Sequence, residues 1–320
     1  MKNKYCFETF GSQHIEEARK LVGKAYMEEQ QKVPILPLDA EVPPLDKYAD
    51  NKLGVVALSS GRLVGFLCCL SPWDNFFGTS KGTFVPVNAH ATVKEERNKI
   101  YSLLYQYASE VWVRNGILSQ AIGVYTQDTQ AVESFFENGF GLRTIDAVRS
   151  LEPIKVSDYP KDIIFHELEI ERFPELLPQL NNLIEHLNGS PNFMPHSKYN
   201  EKEFKKQIDE SPRRYFVAEK AGRLIGHIKI TTEGESFIGD TEYMINIQGA
   251  YLEEEFRGSG IYKCLLDYTI RELKKEGYIQ LGVDFESFNP TARRFWLKFF
   301  TPYIYGMTRR IDERISSFYE

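Results

Sequence analysis

Cysteine is scarce in this chain: Cys6, Cys68, Cys69 and Cys264 are the only four in 320 residues. None forms a Cys-x-x-Cys spacing, so neither a thiolate metal site nor a dithiol redox pair is expected. Cys68 and Cys69 sit in an apolar strand pattern and Cys264 in an apolar helical one, which reads as reduced core thiols and a cytoplasmic location. Histidines are few and scattered, with no His-Glu-x-x-His or comparable spacing, so no metal is expected. Long basic runs are absent and the formal net charge is −6. Binding a phosphate backbone needs clustered Lys and Arg, so nucleic acid is not expected as a partner. No apolar run approaches membrane-spanning length, and Met1 to Glu8 lacks the apolar core of a signal peptide. No membrane association is therefore expected.

Apolar residues are not scarce. They make up 42% of the chain, with aromatics at 13%, enough to fill two ordinary cores. The length points the same way. Val56-Ala57-Leu58-Ser59-Ser60-Gly61-Arg62-Leu63-Val64-Gly65 matches Val217-Ala218-Glu219-Lys220-Ala221-Gly222-Arg223-Leu224-Ile225-Gly226 at an offset of 161 residues. Each reads as a β-hairpin with a glycine turn. At the same offset Ile100-Tyr101 falls on Ile261-Tyr262, and after small slips Ala131 to Phe136 falls on Thr291 to Trp296. A period near half the chain length, with elements in the same order, indicates duplication. The linker is expected within Glu152 to Asp162, where Pro153 and Pro160 interrupt mixed charge. This gives domains at 1–152 and 163–320.

The second copy carries the chemistry. An apolar strand pattern, Tyr243 to Leu252, is followed by Arg257-Gly258-Ser259-Gly260-Ile261-Tyr262 and then by a helix through Glu276, stopped at Gly277. Glycines at a strand-to-helix turn let backbone N–H groups point at a diphosphate, and the helix start adds positive potential. A second strand, Gln280 to Phe285, leads into Asn289-Pro290-Thr291-Ala292, a turn in which Asn289 reads as a helix cap. In the first copy the glycines are replaced by Arg97, Asn98 and Lys99. Their Cβ atoms would crowd a diphosphate, so that half is expected to be structural or to shape the acceptor site.

These two blocks resemble the GNAT acyl-CoA-dependent N-acyltransferases, whose Arg/Gln-x-x-Gly-x-Gly/Ala loop matches residues 257–262 and whose Asn-x-x-Ala turn matches Asn289 to Ala292. The resemblance covers about residues 163–310. It implies an α/β (mixed α+β) fold of two tandem GNAT-like domains, each a mixed, mostly antiparallel sheet flanked by helices, the first copy degenerate. It also implies direct transfer of an acetyl group from acetyl-CoA, as co-substrate, to a primary amine of a small or peptide-like acceptor. The amides of Arg257, Gly258, Ser259, Gly260, Ile261 and Tyr262 would then take the diphosphate. Ala250, Tyr251 and Leu252 would hold the pantetheine amides, Asn289 would face the same arm, and the Leu252 N–H would serve as oxyanion donor.

Three departures from the family pattern involve four positions. Asn246 and Gln248 stand where relatives often carry a glutamate; neither titrates, but both can order a water chain ending at Glu286 or Asp284. Trp296 replaces a tyrosine that would protonate the leaving sulfur. Tyr262 ends the loop where Gly or Ala is usual. The alternative reading is accordingly a non-catalytic acyl-CoA-binding or regulatory protein.

Overall fold

Both copies of the matched hairpin form around a tight turn whose glycine has positive φ, Gly61 at +75° and Gly222 at +81°. Only glycine adopts that geometry without a Cβ penalty, which is why the turn is legible in both halves. The computed structural model describes residues 4–156, 158–210 and 213–318. The chain divides into two compact units. Unit 1 takes in the chain up to Leu36, Ala40–Asp146 and the chain from Pro302 on, and unit 2 takes Pro37–Asp39 and Ala147–Thr301.

In unit 1 the order is β1 (Cys6–Thr9), α1 (Ile15–Lys32), α2 (Asp46–Asp50), β2 (Val55–Ser59), β3 (Arg62–Leu67), β4 (Gly82–Val85), β5 (His90–Thr92), α3 (Arg97–Arg114), β6 (Ser119–Tyr125), α4 (Thr129–Glu137) and the start of β7 (Gly141–Ser150). Strands β1, β2, β3 and β5 pair antiparallel in that order, while β4 pairs parallel with β6. Tyr101, Tyr105, Trp112 and Phe135 fill the core beneath them. The aromatic insertion after Ser71 packs as a corner, with Phe76 buried edge-on to Trp73 at 4.7 Å.

Unit 2 follows a similar order with one strand fewer before its central helix: β8 (Ile164–Glu167), α5 (Leu177–Asn188), α6 (Glu201–Glu210), β9 (Arg214–Lys220), β10 (Arg223–Thr231), β11 (Met244–Leu252), α7 (Ile261–Lys275), β12 (Gln280–Glu286) and α8 (Pro290–Trp296), after which Thr301 opens β13 (Thr301–Arg310). Strands β8 to β11 are antiparallel neighbours, and β12 joins β11 in parallel. Helix α7 buries Ile261, Leu265, Leu266, Ile270 and Leu273 on one face and stops at Gly277, φ +96°. Its buried Asp267 accepts hydrogen bonds from the Ile154 N–H (2.6 Å), the Tyr159 hydroxyl (2.7 Å) and Arg271 Nε (2.7 Å). The segment read as a linker is thereby tied down on unit 2.

The last strand departs from linear domain boundaries. From Pro302 the chain belongs to unit 1, where β13 pairs antiparallel with β6 from Ile304 opposite Tyr125 to Arg310 opposite Ser119. Residues 302–320 thus lie outside the unit that the 163–320 boundary assigned them to.

Candidate active site

Two irregularities in β11 make the site. The first is a bulge: Lys229 pairs with Gly249 and Ile230 with Ile247, leaving Gln248 unmatched. The Lys229 methylenes lie across Gly249, where a Cβ would meet them at 3.2 Å. The second is a splay. Strands β11 and β12 pair only from Met244–Gln280 to Ile247–Val283, so Gln248 and Asp284 are the first unpaired residues on either side of an opening V. The Glu253 N–H bonds the Ile225 carbonyl at 2.9 Å. Alternation along an antiparallel strand then turns the N–H groups of Leu252 and Ala250 away from β10, toward the opening.

At the mouth of the V lies the glycine loop. Gly258 (φ +78°) and Gly260 (φ +85°) both face open space. Three of the six loop amides are committed within the loop. Arg257 donates to the Glu254 carbonyl (3.1 Å), Ser259 to the Phe256 carbonyl (3.4 Å) and Ile261 to the Ser259 hydroxyl (3.4 Å). The amides of Gly258, Gly260 and Tyr262 have no partner among the described residues and sit at the positive start of α7. Arg257 turns back on its own strand: its Nε donates to the Leu252 carbonyl at 3.1 Å and its guanidinium lies 5.5 Å from the Tyr251 ring. Glu254 and Glu255 are exposed, with Glu255 accepting from Arg223 at 3.1 Å, whereas Glu253, expected to face solvent with them, is part-buried.

Between loop and strands runs a cleft of about 190 Å³, lined by Ala250, Tyr251 and Leu252 on one side and Asn289, Ala292 and Trp296 on the other. Asn289 caps α8 through Oδ1, accepting from the Thr291 and Ala292 amides at 3.2 and 3.3 Å, and it also lines the cleft. The cap reading and the cleft reading of Asn289 therefore describe one side chain. Tyr262 forms the floor. Its hydroxyl donates to the His227 carbonyl (3.2 Å), and its ring meets Phe295 edge-on at 5.1 Å and Trp296 at 6.2 Å. Burial pushes that phenol well above its ordinary pKa. The phenol is thus locked in its neutral, donating form.

The structure separates the expected proton-handling residues from this cleft. Asn246 lies on the paired part of β11 and donates through Nδ2 to the Gly239 carbonyl at 2.9 Å. Gln248 donates through Nε2 to the Glu233 carbonyl at 3.2 Å. Both side chains anchor the 232–242 loop, and neither they nor Glu286 line the cleft. Asp284 sits at the apex of the V. Burial, reinforced by the carboxylates of Glu235 and Glu286, pushes it up to about 7. Lys229 is shifted the other way, below the ordinary lysine range, mainly by burial.

One cleft residue carried no sequence signal strong enough to select it. His186, on α5, lines the cleft with Leu183, and its Nε2 donates to Asn289 Oδ1 at 3.3 Å. The spacing of 183 and 186 on one helical face was readable; what lay opposite that face was not.

Residues 180–300 match the model of the Acetyltransferase (GNAT) family. No curated protein sequence matches the chain. Among solved structures, a GCN5-related N-acetyltransferase from Sphaerobacter thermophilus is similar in fold over 97% of this chain and 96% of its own, with a TM-score of 0.59 at 11% identity. The glucosamine N-acetyltransferase region in a fungal multi-domain GH3 β-N-acetylglucosaminidase is similar over 96% of this chain and 38% of that one, with a TM-score of 0.54 at 16% identity. The mixed α/β fold is therefore that of GNAT proteins over nearly the whole length, and the segment from 180 to 300, which contains the glycine loop, the V and the cleft, is a domain of the GNAT acetyltransferase family.

Proposed function

We propose that unit 2 binds acetyl-CoA in this cleft and transfers its acetyl group directly to a primary amine. The observation that carries the reading is the pairing of three free amides at Gly258, Gly260 and Tyr262 with a V whose inner edge offers the N–H groups of Ala250 and Leu252. The diphosphate binds the loop amides and the positive end of α7, and the pantetheine arm runs past Asn289 along β11. The neutral amine attacks the thioester carbonyl carbon. The resulting oxyanion takes the Leu252 N–H, the C–S bond breaks, and the thiolate of CoA leaves. A thiol with an ordinary pKa near ~8.5 leaves without a strong acid, so an indole at position 296 is compatible with turnover.

Gln248 at the bulge and Glu286 beyond the apex stand back from the cleft, and in this reading they act only through water ordered between them and the reacting carbon. Asn246 supports them by holding the 232–242 loop. Acetyl-CoA and an amine are the two partners in this reading, and the protein works without a metal.

The test is thioester consumption. Protein is incubated with acetyl-CoA and a panel of amines, and free thiol is followed. Turnover above background with any acceptor supports transfer. Tight CoA binding with no turnover across the panel favours a sensor, a reading that rests on Trp296 and on the anchoring of Asn246 and Gln248.

A further inference from the structure

We propose that Asp284 is the residue that takes the proton from the acceptor ammonium, so that proton handling has moved from β11 to the first unpaired residue of β12. This inference rests on the acetyl-transfer reading. The argument begins with what β11 has used up: Asn246 and Gln248 are neutral and hold the 232–242 loop through Gly239 and Glu233. What they hold in place matters, because that loop carries Glu235 to within interaction range of Asp284. The ladder ends at Ile247 and Val283, so Asp284 stands where the V opens, level with Gln248 and two residues short of Ala250, the first cleft-lining residue of β11.

Its face is also fixed. Asn246 Oδ1 crowds the position a Gly282 side chain would take, so Gly282 and Asn246 share a face, and Asp284, two residues on, shares it too. Leu281, Val283 and Phe285 bury the other face. The charged groups around Asp284 come from three elements: Glu286 on β12, Glu235 on the loop and Lys229 on β10. Glu233 and Arg213 act on Lys229, and Asp240 acts on Glu235. Burial first, and then the two neighbouring carboxylates, keep Asp284 protonatable near neutrality, and those carboxylates give an incoming ammonium a negative surface to settle on.

In the step itself, the ammonium N–H bond breaks and its proton goes to the Asp284 carboxylate. The freed lone pair forms the C–N bond, the nitrogen then gives up a second proton to the departing thiolate as the C–S bond breaks, and the first proton passes from Asp284 to water.

Asp284→Asn and Asp284→Glu are compared with wild type, using acetyl-CoA and spermidine, 2-phenylethylamine and glucosamine as probes. For wild type, kcat at saturating amine is expected to rise through a midpoint near the value of about 7 given for Asp284. Asp284→Asn should lose at least about a hundredfold in kcat and lose that limb, with calorimetric CoA affinity unchanged, and Asp284→Glu should restore part of both. Glu235→Gln, which removes a like charge, should move the midpoint to lower pH. Retention of rate and limb by Asp284→Asn overturns the assignment while leaving acetyl transfer intact, as does an unmoved midpoint in Glu235→Gln. Wild-type protein that binds CoA but acetylates none of the probes overturns this proton route and the transfer reading together. Absence of CoA binding overturns the cleft reading beneath both.

Discussion

In unit 1 the Arg97 guanidinium bonds Asp128 Oδ2 at 3.0 Å, and by the offset of 161 these two residues correspond to Gly258 and Asn289 of unit 2. The same Nη1 bonds Glu28 at 3.0 Å, and Glu29 lines the same cleft. In the first copy these positions therefore hold an internal ion network where the second has a glycine and a neutral cap. His90 on β5 donates through Nε2 to the Gly123 carbonyl of β6 at 2.7 Å and accepts the Tyr101 hydroxyl at 3.0 Å, so a buried side chain bridges these two strands. Removing Arg97 leaves part-buried Asp128 without the cation it bonds, and Glu28 with the exposed Lys94 at 3.4 Å. Arg97→Ala is expected to cost about 3–5 kcal/mol in urea unfolding while calorimetric CoA affinity stays at the wild-type value. A large loss of affinity in this variant, or in the exposed Lys99→Glu, would mean that the first cleft also binds the coenzyme.

Gly260 tests the second cleft directly. Its φ of +85° penalises any side chain, and a carboxylate there would sit among the free amides. Gly260→Glu should abolish measurable CoA binding while leaving the far-UV circular dichroism spectrum unchanged. Gly258→Ala, which adds strain without charge, should weaken binding by about five- to tenfold, corresponding to ~1 kcal/mol of αL strain. Unchanged affinity in Gly260→Glu would refute the loop assignment.

What the sequence revealed was whatever is governed by neighbouring residues. The glycine loop, the Asn289 cap, the end of α7 at Gly277 and both hairpin turns depend on backbone angles that few residues tolerate, so residue type alone marks them. The replacement of the loop glycines by Arg97, Asn98 and Lys99 in the first copy was legible for the same reason. What stayed hidden depends on distant partners. Nothing local to Thr301–Arg310 says that β13 pairs with β6, since an alternating strand fits any sheet with a free edge. The occupation of Asn246 by the Gly239 carbonyl follows from the path of a loop, and the pairing of His186 with Asn289 from the packing of α5. Asp284 was visible as a carboxylate near the strand end; its raised pKa comes first from burial and then from Glu235, which only the folded loop brings close.

Glu29 offers a pH test confined to unit 1. Burial pushes this carboxyl up to about 7 against hydrogen bonds from the Thr126 hydroxyl and the Gln127 amide. A carboxyl raised on folding contributes stability that is fully present below its unfolded value, given as 4.5, and is lost as pH rises through 7. His90 has the opposite sign: burial lowers it to about 4, so its contribution is present above 6.5 and lost as pH falls toward 4. The two slopes oppose each other between pH 4.5 and 6.5, and wild type is expected to show little net slope from the pair. Glu29→Gln removes one of them. Its unfolding free energy should rise relative to wild type by about 3 kcal/mol between pH 4.5 and 7.5. Parallel curves for the two proteins would show that Glu29 is ionised in the folded state at both ends.

Tyr262 sets the last prediction, because it stands where the loop of relatives ends in a small residue. Its ring closes the floor of the cleft against Phe295 and Trp296, and its hydroxyl is held by the His227 carbonyl. An acyl chain longer than acetyl would need that volume. Tyr262→Phe keeps the ring and loses one hydrogen bond, so it should lower stability by about 1 kcal/mol and leave acyl preference unchanged. Tyr262→Ala opens the floor. Calorimetric affinity for butyryl-CoA relative to acetyl-CoA should then rise at least about tenfold, the order expected when an apolar pocket gains room for one or two methylenes. A binding measurement decides this without any acceptor being known. An unchanged ratio in Tyr262→Ala would show that the acyl group lies elsewhere along the V and that the tyrosine only supports the helix start.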